Sequence, residues 1–154
     1  MKQITTNEII KQLNEYHYWV DENTIKRIME YVLSAFPEEI KTVIPSLISL
    51  QDGPRIDSIF LISENLLCEV PILTVERGFD FIALKSIKDY RFILSKSLLL
   101  DSVSSTPILD SIEIILLHEI SNYTSKLVYI GAKSDLIKWL NKVLSSIPIQ
   151  FIYE

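Results

Sequence analysis

The sequence predicts an α+β domain with helices at its N terminus, about seven short antiparallel strands after them, and one amphipathic helix near its end. Apolar residues recur every three to four positions before residue 45 and after residue 133, as in helices with one buried face. Between these segments the apolar runs are short and β-rich. The strands follow one another without a helix between them, which favours antiparallel pairing. We divide the chain into a helical segment, 1–45, and a β-rich domain, 46–154.

Two helices are predicted in the first segment. "TTNE" places Thr5 three residues before Glu8, which is the spacing of a capping box at a helix start. A second helix starts where Asp21 or Asn23 can cap it. Its apolar stripe continues to Phe36, and a proline follows that disfavours helical geometry.

The stretch 37–50 is ambiguous. Pro37 followed by two glutamates is typical of a helix start, whereas Pro45 excludes a long regular helix. We predict a short helix over about 37–43 and a strand after it.

The β-rich domain contains further runs with strand character, and the tight polar link "SEN" predicts that the first two form a hairpin. In chain order the runs are "RIDSIFLIS", "LLCEVPILTV", "RGFDFIALKS", "DYRFILS", "SIEIILLHE" and "KLVYIGA". The last helix is predicted to begin with Ser134 as its N-cap and Asp135 in its first turn. Its Trp139 is expected to pack against the sheet.

About seven short antiparallel strands followed by one helix that contains Trp139 resemble the pleckstrin-homology-like fold, including its GRAM-type members. The resemblance covers about residues 46–147 and depends on "IFLISENLLCEV", "IALKSIKDYRF" and "IEIILLHEISNYTSKLVYIGAKSDLIKWLNKVL". It implies a strongly bent sheet or barrel that the C-terminal helix closes. The insertion near 96–107 and the helical N terminus depart from the minimal family pattern.

The resemblance does not favour lipid binding by this chain. Family members that bind phosphoinositides have several Lys and Arg around the first loop between strands. The matching stretch "QDGPRID" has Asp52 and Asp57 against Arg55 alone, a net charge of −1 that would repel a phosphorylated headgroup.

The overall charge argues against nucleic acid as a partner. The chain has a formal net charge of −5, and residues 1–76 contain 12 acidic against 6 basic side chains. Binding to nucleic acid requires clustered Lys and Arg. Because we find neither a signal peptide nor an apolar run of membrane-spanning length, we expect a soluble cytoplasmic protein. Cys68, the single cysteine, is predicted to be a small buried hydrophobe.

Histidine chemistry offers little support for an enzyme. His17 and His118 are the only histidines, and His118 should point to the opposite face of its strand from Glu119. We predict no catalytic residue, no metal ligand and no cofactor.

A set of carboxylates near a lysine is the nearest alternative to a binding protein. Asp57, with either Glu69 or Asp80, could hold a divalent metal beside Lys85, as in nucleases of the restriction-enzyme type. Pro71 stands where the nuclease lysine would be, so we do not favour this hypothesis.

An aromatic cluster lies between the two predicted helices, in "NEYHYWVDEN". Tyr16, Tyr18 and Trp19 are candidate partner-binding residues, because Trp and Tyr are enriched at binding hot spots. The alternative is a structural joint between the helices. We predict a non-enzymatic module that binds a protein partner and is able to form a homodimer. The alternative function is an immunity- or inhibitor-type protein whose acidic N-terminal half covers a basic partner.

Overall fold

The computed structural model describes residues 3–16, 20–73, 78–95, 110–119 and 123–147. Three α-helices and seven strands lie in these ranges. In chain order they are α1 (Thr6–Asn14), α2 (Glu22–Ala35), β1 (Thr42–Leu50), β2 (Gly53–Ile62), β3 (Leu66–Pro71), β4 (Phe81–Ala83), β5 (Ile87–Leu94), β6 (Asp110–His118), β7 (Thr124–Gly131) and α3 (Lys133–Ser146). A short 3₁₀ turn, Leu84–Ser86, joins β4 to β5.

The seven strands form two antiparallel sheets, which confirms the α+β class. The first sheet has the order β1-β2-β3-β4 and the second has the order β5-β6-β7. The predicted "SEN" hairpin is the pairing of β2 with β3. In the described part of the chain no strand ladder joins the sheets into a closed barrel. The insertion near 96–107 lies outside the described residues.

The starts of the first two helices follow the local signals in the sequence. The Thr5 hydroxyl accepts a hydrogen bond from the Glu8 amide at 3.2 Å, and the Glu8 carboxylate accepts one from the Thr5 amide at 2.9 Å. These two bonds confirm the capping box. For α2 the cap is Asp21 rather than Asn23, since its carboxylate accepts from the Thr24 amide at 3.2 Å.

The helix predicted over about 37–43 is wrong. Residues 37–41 form no regular structure, with a bend at Glu38, and β1 begins at Thr42. The Lys41 amide donates to the Ile62 carbonyl at 2.8 Å, and the Ile40 amide donates to the Gln3 side chain at 2.8 Å. In a helix these two amides would bond to carbonyls of the preceding turn. Here they bond to residues that are distant in sequence.

Pro45 lies inside β1, opposite Ile59 of β2. β1 is an outermost strand of its sheet, which is where prolines are tolerated within sheets. The predicted boundary between residues 45 and 46 falls within this strand.

Helix α3 begins earlier than its sequence suggested. Its N-cap is Ala132, without a side-chain cap, and the prediction of Ser134 is wrong. The Ala132 carbonyl accepts from the Leu136 amide at 3.0 Å and from the Tyr129 hydroxyl at 2.9 Å. This contact between strand and helix fixes the helix start directly after β7.

The two sheets and α3 share one hydrophobic core. Ser46 links the sheets, because its hydroxyl accepts from the Val128 amide at 2.9 Å and lies 3.3 Å from the Lys126 carbonyl. Trp139 is fully buried, as predicted, and its indole donates to the Pro45 carbonyl at 2.7 Å. None of the helices in the described ranges is both long and apolar enough to cross a membrane.

Candidate functional site

A groove of about 430 Å³ opens between the N-terminal end of α2 and the hairpin of β1 and β2. We call it the hairpin groove. Its apolar lining consists of aliphatic side chains from four parts of the chain. Its polar lining lies near the N-terminal end of α2, in the β1–β2 turn and at the start of β2. The lining residues are Asp21, Thr24, Ile25, Leu50, Asp52, Arg55, Ile56, Ile72 and Leu73.

Local backbone structure holds two leucines at the rim of the groove. Gly53 follows the β1–β2 turn with a φ of +119°, a conformation that favours glycine, and it pairs with Leu50 in the ladder. The amides of Ile72 and Leu73 both donate to the Asp57 carbonyl, at 2.9 and 3.3 Å. The exposed fractions of Leu50 and Leu73 are 43% and 48%, so both present apolar surface to solvent.

The rim of the groove carries a small negative charge. Hydrogen bonds from the Thr24 amide and hydroxyl lower the pKa of Asp21. A hydrogen bond from the Arg55 guanidinium lowers the pKa of Asp52, with which it also forms an ion pair. Both carboxylates are therefore ionised near neutral pH, and the net charge of these three side chains is −1.

An apolar floor beside fixed charges is an arrangement suited to binding. Apolar contacts supply affinity in such grooves, and a few placed polar groups determine orientation. The carboxylates favour a partner with a positive charge next to its apolar anchor.

Of the predicted partner-binding residues, Tyr16 is the one that the structure describes. Its side chain is 1% exposed and belongs to the core, and burial raises the pKa of its hydroxyl. The ammonium groups of Lys138 and Lys142 each lie 5.5 Å from the centre of its ring. Tyr18 and Trp19 lie outside the described residues, so their role stays a prediction.

Of the carboxylates in the nuclease hypothesis, Asp57 and Glu69 line a common cavity of about 220 Å³, together with Lys126. Asp80 lines a different cavity, and Lys85 lines neither of the two. Across the described ranges no group of three or more His, Cys, Asp or Glu side chains is placed to hold a metal ion.

His118 is the last residue of β6 and is buried, whereas Glu119 after it is exposed, as the alternation predicted. The His118 side chain is 4% exposed, and burial lowers its pKa. One ring nitrogen, Nε2, lies 3.0 Å from the hydroxyl of the fully buried Ser125. This pair was not predicted from the sequence, although both residues continue the inward-facing alternation of their strands.

Several acids of residues 1–76 have structural roles within the domain. Glu15 forms an ion pair with Lys138 at 3.3 Å. The Glu38 carboxylate accepts from the Ser63 hydroxyl at 2.9 Å and from the Asn65 amide at 3.2 Å. These carboxylates, like those in the helix caps, already have partners within the domain. Less of the negative charge is therefore available to the partner of an inhibitor-type protein.

Comparison with models of known protein families, with curated proteins and with solved structures found no match to this chain. The function proposed below therefore depends on the fold and on the chemistry of the hairpin groove.

Proposed function

We propose that this protein is a non-enzymatic protein-interaction module with a pleckstrin-homology-like fold. The hairpin groove is its binding site, and the partner contributes an apolar side chain with a Lys or Arg beside it. The exposure of Leu50 and Leu73 at the rim of the groove is the observation on which this proposal chiefly depends.

The order of elements supports the fold proposal. Sheets of four and three antiparallel strands precede α3, which contacts β1, β6 and β7. This arrangement is similar to the architecture that the sequence resemblance implies, in which a helix covers one end of a bent sheet. The fold by itself assigns no activity, because one fold supports many functions.

The energetics of the groove favour a partner with an apolar anchor. Removing apolar surface from water contributes about 25 cal/mol per Å², so covering two half-exposed leucines contributes on the order of 2 kcal/mol in total. The anchor's own burial adds to this value. The ionised Asp21 and Asp52 at the rim attract a nearby cation and disfavour phosphorylated partners.

An immunity- or inhibitor-type protein is the second candidate function. It is favoured by the net charge of −6 on residues 1–76, which would speed association with a basic partner. The two functions differ in salt dependence. An extended acidic interface would lose most of its association rate at high ionic strength, whereas binding anchored in the groove would depend on salt only weakly.

Selection from a random peptide display library on the immobilised protein tests the groove. We expect the enriched peptides to share an apolar residue next to Lys or Arg. They should bind Leu73→Glu at least tenfold more weakly than the wild-type protein. Ile137→Glu is the matched control, because Ile137 on α3 is 52% exposed and does not line the groove.

Equal binding of the enriched peptides to Leu73→Glu and Ile137→Glu would refute the groove as the site. Thermal unfolding of both variants establishes that they remain folded. The mass of the protein in solution, measured with and without a selected peptide, determines whether a homodimer forms and whether it competes for the same surface.

A further inference from the structure

A second cavity, of about 220 Å³, lies between the two sheets at the end where β6 turns into β7. We call it the His118 cavity. Its walls come from β4 and the 3₁₀ turn on one side and from the β6–β7 hairpin on the other. The lining residues are Asp80, Phe81, Ile82, Ala83, Ser86, His118 and Tyr123.

His118 forms part of the cavity wall as a neutral, buried imidazole. Its Nε2 is paired with the Ser125 hydroxyl, and its Nδ1 is buried without a hydrogen-bond partner in the structure described. Because Nδ1 is itself inaccessible, a ligand in the cavity contacts the ring of His118 and not this atom.

Two aromatic side chains frame the cavity, and both are exposed. Phe81 is held by edge-to-face contacts with Phe36 and Phe79, with ring centres 5.1 and 6.0 Å apart. Tyr123 lies on the other side, with its ring centre 5.4 Å from that of His118. Exposed aromatic rings beside a polar base provide surface for a flat apolar molecule.

The charge at the rim of the cavity determines whether a cationic or an anionic ligand is favoured. Asp80 is exposed and is the one ionisable acid among the described lining residues. Its carboxylate attracts a cation and repels an anion, and the faces of Phe81 and Tyr123 also attract cations. Burial disfavours protonation of the imidazole, so His118 adds no positive charge that would oppose a cation.

We propose that the His118 cavity binds a small organic cation, in which an ammonium or amidinium group is attached to a single ring. The ring packs between Phe81 and Tyr123, and the N–H groups face Asp80. The cavity is smaller than the roughly 300–1,000 Å³ of sites for drug-sized ligands, which limits the ligand to about one ring.

Benzylamine and benzoate are the probes, because they have the same ring with opposite charge. Only two histidines are present, so a His17→Gln variant assigns the imidazole NMR signals to His118. At pH 7.5 we expect benzylamine to shift the His118 signals saturably, with an affinity at least tenfold higher than that for benzoate. No saturable shift with benzylamine would show that the cavity does not bind this class of ligand, and equal affinities for the two probes would overturn the preference for a cation.

Asp80→Asn tests the role of the carboxylate, with Asp89→Asn as its control. Both acids are exposed, but Asp89 lies on β5 and does not line the cavity. Asp80→Asn should weaken benzylamine binding roughly fivefold, at the upper end for an exposed charge pair. Asp89→Asn should leave it unchanged. Equal affinities of the two variants would contradict the assignment of the cation to Asp80.

Discussion

The indole Nε1 of Trp139 donates a 2.7 Å hydrogen bond to the main-chain oxygen of Pro45, 94 residues earlier in the sequence. This bond joins α3 to the outermost strand of the first sheet. The Tyr129 ring lies 5.7 Å from the indole, so the second sheet contacts the same side chain. Trp139 therefore connects α3 to both sheets, of which only β1 is distant from it in sequence.

Replacing Trp139 should destabilise the domain through two separable effects. Trp139→Phe keeps an aromatic ring but leaves the Pro45 carbonyl without its donor, at a cost of about 1–3 kcal/mol. Trp139→Ala should cost about 3–5 kcal/mol because it also leaves a cavity. Urea unfolding measures both. Ile137→Ala, an exposed site on the same helix, should change stability by less than about 0.5 kcal/mol. A Phe variant as stable as the wild type would show that the indole bond contributes nothing.

The link between the sheets depends on the buried hydroxyl of Ser46. Ser46→Ala leaves the Val128 amide without that acceptor and should lower the free energy of unfolding by about 1–3 kcal/mol. Hydrogen exchange of the Val128 amide should also become faster. Ser49→Ala is the control, because Ser49 is on the same strand but is exposed. Unchanged exchange at Val128 would mean that the hydroxyl does not protect this amide.

Tyr16 should tolerate the loss of its hydroxyl. The buried oxygen has no hydrogen-bond partner in the structure described, so Tyr16→Phe removes a desolvated polar atom and should raise stability by about 1 kcal/mol. Tyr16→Ala should lower it by about 3–5 kcal/mol through loss of the buried ring. Thermal unfolding compares the variants. If the Phe variant were clearly less stable, the hydroxyl would have a favourable contact that this structure does not contain.

His118 should make the domain less stable in mild acid. Its ordinary pKa is 6.5, and burial lowers the pKa in the folded state, so the unfolded chain binds the proton first as the pH falls. The free energy of unfolding should therefore decrease as the pH falls below about 6.5, until the folded-state pKa is passed. Urea unfolding at pH 7.5 and 5.5 measures the change. The decrease should be smaller in His118→Gln and unaltered in His17→Gln, and equal slopes in both would contradict the assignment.

Features encoded within a few neighbouring residues were predictable from the sequence. The capping box of Thr5 and Glu8 is complete within one helical turn, and the polar link between β2 and β3 fixes that hairpin. The irregular, non-helical conformation of 37–41 was not predictable in this way. It depends on Gln3 and Ile62, which no local pattern connects to this stretch.

The candidate sites were harder to predict for the same reason. Ile25, Leu50 and Leu73 meet in the hairpin groove only after a helix, a turn and a strand end are folded together. The aromatic cluster drew attention to Tyr16, whose apolar ring is buried in the core. For His118 a signal existed in the alternation of β6, but its pairing with Ser125 required the register of the next strand.

Because Cys68 is buried in β3, its reactivity can be used to detect local opening of the first sheet. The single thiol is fully buried in β3, and burial raises its pKa to about 12, so it exists almost entirely in the unreactive protonated form. It pairs across the ladder with Leu61 on one side and Phe81 on the other. A thiol reagent can reach it only when β3 separates from its neighbours. The rate of thiol labelling would therefore measure how often the first sheet opens. A cysteine introduced at the surface could be labelled selectively while Cys68 stays protected.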